Sequence, residues 1–249
     1  MLWFKAWRES RTRFLIGASS LLAYSAVTVL FRSRVLNGLG FAERLAAASF
    51  SQFITRLVFD GTAKGVFVIF VVFLGLGGFL REQAEGTSDF TIALPATRRR
   101  MAAVRAAIGL LEMIALALVP ALVVPVLSPL VHEAYPLLDT LRFALLWAVG
   151  GSLLFALSFL LSTLFSGEYT ALLAAYVIVF AHTLVAIWRP VRPYHLNLMQ
   201  TMGGWRVVHL GAQHEVLFGP LPWIRLTTIA LLATTLMTIS LERIQRQDF

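Results

Sequence analysis

REQAEGTSDFTIALPATRRRMAAVR, residues 81–105, is the longest polar interruption in a chain otherwise built from apolar runs. Glu82, Glu85 and Asp89 come first, then a stop at Leu94 and Pro95, then the basic run Arg98, Arg99, Arg100. An apolar stretch lies on each side, 64–80 before it and 106–130 after it. Helices of that length cross about 30 Å of hydrocarbon. A polar segment between two of them is a loop in water, and its basic end marks the cytoplasmic side. This reading decides the fold class: an all-α integral membrane protein.

Composition agrees. The 249 residues are 58% hydrophobic and 14% charged, with a mean hydropathy of +0.78. A soluble domain carries about 25% charged residues, so lipid is the expected solvent. The net charge of +8 would suggest nucleic acid in a soluble protein. Here the basic residues sit at span ends and in loops, where anionic head groups attract them, and no nucleic-acid partner is expected. There are no cysteines, which excludes disulfides and thiolate metal sites. The first apolar run continues to a full span without a small-residue cleavage site, the pattern of a retained helix.

Taken from its start, the chain reads as one membrane domain, 1–249. Residues 1–13 alternate aromatic and basic side chains, and Trp3, Phe4 and Trp7 share a helical face. They predict either an interfacial amphipathic helix or a plain topogenic flank of span one, and in both cases the basic residues put the N-terminus in the cytoplasm. Span one is 14–31. An outer segment, 38–61, has polar residues at near-helical spacing and predicts a second interfacial helix on the far side. Span two is 62–80, with Gly75, Gly77 and Gly78 near its inner end. The polar loop between spans two and three is 81–100. Span three, 101–130, contains Pro120 and Pro125, which are expected to kink or break it. Spans four and five, 139–165 and 169–188, are joined by a short turn through Gly167 and Glu168. A second outer segment, 189–220, leads to span six, 221–241. The Lys/Arg balance across the two sides is nearly even, so orientation rests on the clusters beside spans one and three. Six spans put both termini in the cytoplasm, in the cell membrane.

Four features are candidates for function. Within the central loop, residues 88–94 can form a short helix with Phe90, Ile92 and Leu94 as apolar points, and Thr97 can cap the next helix. Glu112 is a carboxylate deep in span three; such groups are costly in lipid and face protein, water or a transport path. Four histidines, His132, His195, His209 and His214, fall on the outer side without a helical i, i+4 pair, so no metal site is expected. Gly150, Gly151 and Ser152 with His182 invite comparison with an intramembrane serine protease, but Leu153 stands where a second glycine is needed. No phosphate-cradling Gly-x-x-x-x-Gly-Lys segment occurs, so the chain is not expected to bind ATP itself.

The pattern Glu82, Glu85, Gly86, Thr87, Leu94, Pro95, Arg98, Arg99, Arg100, followed by Arg105, resembles the loop after span two in the membrane subunit of type-2 ATP-binding-cassette (ABC) exporters. The short turn at Gly167 and Glu168 resembles that family's minor ATPase contact, and the tail Arg246-Gln247-Asp248-Phe249 is similar to its ending. The likeness implies a permease that is not an enzyme and holds no cofactor. ATP and Mg would be bound by a separate ATPase subunit, and a second membrane subunit would complete the transporter, an identical copy being one option. It implies that Glu82, Glu85, Gly86, Thr87, Asp89, Phe90, Ile92, Leu94, Pro95, Arg98 and Arg99 receive the ATPase. Phe90, Ile92 and Leu94 would fill a groove of that partner while the charged residues form the rim. Small residues on spans two and five are candidates for a dimer seam. Two alternatives stay open: an ATP-independent carrier using Glu112, and a membrane component that transmits motion without moving cargo.

Overall fold

In a computed structural model of the chain, the described residues are 2–32, 34–35, 49–76, 97–165, 167–191, 194, 196–204, 208–210, 215–217 and 220–246. Among them, six helical segments are long and apolar enough to cross a membrane. The first is α1, Leu2–Leu30. A short α2, Phe50–Ile54, passes into a π-helical turn, Thr55–Phe59, and then, after a bend at Asp60 and Gly61, into α3, Thr62–Gly75. The remaining long helices are α4, Arg98–Leu127; α5, Leu137–Leu164; α6, Glu168–Ile187; and α8, Trp223–Arg246. Between α6 and α8 lie a one-turn helix, α7, Leu198–Met202, and a hairpin pairing β1, Val208–Leu210, with β2, Glu215–Leu217, antiparallel in the register Val208 to Leu217.

Local chemistry sets several of these bounds. Thr97 is the N-cap of α4, its hydroxyl accepting from the Arg100 N–H at 3.3 Å, as the sequence predicts. Ser49 and Gln52 form a reciprocal capping box at the start of α2. α5, α6 and α8 overlie the apolar runs 139–165, 169–188 and 221–241, and α8 continues past its run to Arg246. The hairpin was not foreseen in the sequence.

Three expectations change. The predicted break between an interfacial helix and span one does not occur: Leu2–Leu30 is one helix. It has no internal proline and packs against α4, Ala6 lying on Val104 and Ile108, and just past its end Arg32 pairs with Glu133, in the turn after α4, at 3.6 Å. Pro120 and Pro125 do not break α4, which is helical on through both. Each proline removes one donor from a long ladder, and the 3-10 turn Ser128–Val131 continues the chain. Finally, the segment expected on the outer membrane surface is internal where it is described. Phe53, Ile54, Val58 and Phe59 are fully buried, because the apolar stripe of this segment packs on α3 and α5 instead of acyl chains.

The main core sits there. Phe59 stacks on Phe143 with ring centroids 4.4 Å apart. Trp147 lies 5.0 Å from the Phe67 ring and donates its indole N–H to the Phe59 carbonyl at 3.2 Å. α5 is the central helix, touching α3, α4, α6, α7 and α8. Close approach is set by small residues. A Cβ on Gly75 would meet the Phe155 carbonyl and the Ser158 side chain at 2.7 Å. Gly150 faces Met202 and Gly151 faces the Phe67 ring, so both are packing residues. α7 closes this end of the bundle: Lys64, buried in the first turn of α3, donates to Asp60 and to the Met199 carbonyl.

The start of α1 and the end of α8 lie at the opposite end of the bundle. Ile244, near the end of α8, packs on Ala102 and Ala106 of α4, and Ala6 of α1 packs on Val104 of the same helix.

Candidate functional site

The end of the bundle where α1 begins and α8 ends gathers polar side chains of α1 and α4 beside the last carbonyls of α3. Arg13 of α1 donates to the carbonyls of Phe73 and Leu76 at 3.0 and 2.9 Å. These are among the last carbonyls of α3, which have no acceptor role inside their own helix, and a guanidinium suits the negative end of the helix dipole. One turn earlier, Glu9 pairs with Arg105 of α4 at 3.0 Å and reaches Lys5 at 4.0 Å. Next to it, Ser10 donates to the Glu112 carboxylate at 2.6 Å. The Ser10 hydroxyl has one proton, and the carbonyls of Ala6 and Trp7 lie 3.1 and 3.4 Å away, so Glu112 is its shortest acceptor.

Glu112 itself is 4% exposed. Its second oxygen, Oε2, has no hydrogen-bond partner among the described residues. A buried carboxylate oxygen without a donor is costly unless the group is protonated or meets another polar atom. The carboxyl lies in the seam between α1 and α4. In effect α1 is laced to α4 by Glu9–Arg105 and Ser10–Glu112, and to α3 by Arg13.

The predicted coupling residues Glu82, Glu85, Gly86, Thr87, Asp89, Phe90, Ile92, Leu94 and Pro95 lie outside the described residues. Their flanks are described. α3 ends at Leu76 beside Arg13, and α4 starts at Arg98, with Arg99 and Arg100 exposed. Gly167 is the N-cap of α6, and its carbonyl accepts from the Thr170 hydroxyl at 2.8 Å; Glu168 opens that helix. The proposed anchors Trp3, Phe4 and Trp7 are all exposed on α1.

Other candidates fall apart. Ser152 donates to the Val149 carbonyl at 2.7 Å, while the His182 ring accepts from the Leu198 N–H at 3.3 Å. The two side chains are engaged separately, and His182 tethers α6 to α7. Among the described residues no group of three or more His, Asp or Glu is placed to hold a metal. The small residues of α6 also find another use: Ala171 and Ala175 are fully buried, packed against Leu76 and Val72 of α3 within the same chain. Gly75 is likewise spent on α5. Any dimer seam on α6 must therefore use its exposed arc, which is large and apolar.

Sequence reasoning missed Glu9, Ser10, Arg13 and Lys64. One signal was available for Glu9, the lone acidic residue in a basic N-terminal run.

No protein-family profile matches this chain, and comparison with curated proteins finds no match. Class therefore rests on the architecture: six helices of spanning length, wrapped around a buried aromatic core, are those of a multi-pass membrane protein.

Proposed function

We propose that the protein is the membrane-spanning permease subunit of a type-2 ABC exporter. A separate ATPase subunit would dock on the 81–100 loop and drive substrate across or out of the cell membrane. The observation that carries this reading is the loop sequence from Glu82 to Arg105. The arrangement of its flanks supports it. Leu76 and Arg98 emerge at the end of the bundle where α1 begins and α8 ends, and Arg13, Glu9 and Ser10 link the helices on either side of the loop to α1. A push on the loop would then reach three helices together, as rigid elements. The termini are cytoplasmic in this reading, and ATP and Mg belong to the partner.

The test is copurification. The detergent-solubilised chain is expected to bring down a Walker-type ATPase, and Phe90→Asp to abolish that association without loss of the membrane protein. Recovery of the native chain with no ATPase, active in transport by itself, would sink the proposal.

A carrier reading draws on one feature, the unpartnered Glu112 oxygen. It expects transport by the chain purified without any ATPase, and Glu112→Gln to stop it.

A further inference from the structure

The first turns of α1 carry two arginines that the fold leaves free. Of the cations in this stretch, Lys5 pairs with Glu9 and Arg13 caps α3. Arg8 and Arg11 are exposed and make no ion pair among the described residues. Successive helical residues turn by about 100°. Trp3, Trp7, Arg11, Phe4 and Arg8 therefore follow one another around a single outward arc of about 140°. Aromatic and basic residues are interleaved on that arc, not segregated to opposite faces.

This matters because α1 continues unbroken to Leu30 alongside α4. A helix lying flat on a membrane needs its charges on one side and its aromatics on the other. A helix crossing the interface upright needs both on the lipid-facing arc, at one depth. Helical side chains tilt toward the N-terminus, so the guanidinium of Arg11 reaches back about one turn, to the level of Trp7. Further along the helix the side of this arc that holds Phe4 and Arg8 continues in Leu15 and Leu22, both exposed. The rings suit the boundary between head groups and acyl chains. The two guanidinium forks suit the phosphates just above it.

We infer that this arc is a binding site for the head group of an anionic phospholipid, held by Arg8 and Arg11 with Trp3, Phe4 and Trp7 against its glycerol and upper acyl region. The site does not depend on any ATPase partner or on transport.

The full chain, extracted from vesicles of phosphatidylcholine with a minority of phosphatidylglycerol, is examined by native mass spectrometry for retained lipid. Phosphatidylglycerol is expected to be enriched over phosphatidylcholine. The enrichment is expected to fall about fivefold for each of Arg8→Gln and Arg11→Gln, and to survive Arg8→Lys in large part. Arg243→Gln with Arg246→Gln, an equal charge loss at the other terminus, is expected to change little. Equal losses from both pairs would mean general surface charge and would overturn the site. So would displacement of the lipid by millimolar inorganic phosphate, which would mark a free-anion site. Undiminished enrichment in the Arg8→Gln, Arg11→Gln variant would overturn it outright.

Discussion

Trp147 concentrates the packing of the core in one side chain. It is fully buried, edges the Phe59 ring with centroids 6.2 Å apart, lies against Phe67, and satisfies its indole N–H on a backbone carbonyl. Trp147→Phe removes that donor and leaves the Phe59 carbonyl short of a partner, a loss of about 1–3 kcal/mol. Unfolding in mixed micelles, followed by circular dichroism, measures it. The Ser10–Glu112 bond is a smaller matter. Bonds across helices in lipid contribute about 0.6 kcal/mol on average and up to about 1.7. A cycle of Ser10→Ala, Glu112→Gln and the double variant is expected to show coupling within that range, and additive effects would show that the two groups do not act together. Glu112 was legible in the sequence as a carboxyl inside an apolar run. Its partner was not, because Ser10 lies 102 positions away and nothing in a linear chain records which helices become neighbours.

At the scale of elements, helix positions followed the apolar runs and the caps, and both were readable. Thr97 marks the start of α4 as firmly in the fold as on paper. What an apolar face touches was not readable. Phe50, Phe53 and Ile54 form the same stripe whether they meet acyl chains or other helices, and here they meet helices. The N-terminal run shows the same gap: Trp3, Phe4 and Trp7 share a helical face, yet the direction of that helix comes from its contacts with α4. Gly75 tests the closeness of α3 and α5. Gly75→Leu would drive a side chain into the Phe155 backbone, where neither helix can yield cheaply, and is expected to destabilise the bundle by about 1–3 kcal/mol. Gly65, with nothing within 4 Å of its would-be Cβ, is the matched control and should accept alanine with little change.

For the whole molecule, the bundle has two distinct ends. One holds the start of α1, the end of α8 and the exposed start of α4; the other holds the turn at His132, the Lys64 staple and α7. The natural absence of cysteine gives a clean background for locating them. Thr97→Cys and His132→Cys are expected to lie on opposite sides of the membrane. A membrane-impermeant maleimide should label the His132→Cys variant in intact cells and the Thr97→Cys variant only after permeabilisation. The reverse pattern would invert the topology and remove the loop from reach of a cytoplasmic ATPase.

The amino-acid order alone determined that the chain suits lipid, that six of its runs are long and apolar enough to cross a membrane, and that residues 81–105 form the main polar break. These follow from hydrophobic run length and from caps, which act over a few neighbouring positions. Tertiary structure alone decided that α1 stands upright against α4, that Phe50–Phe59 belongs to the interior, and that Arg13, Glu9 and Ser10 bind three helices into one end. Those outcomes depend on which surfaces meet across the bundle, and lipid tails and helix faces are too alike in polarity for composition to tell them apart.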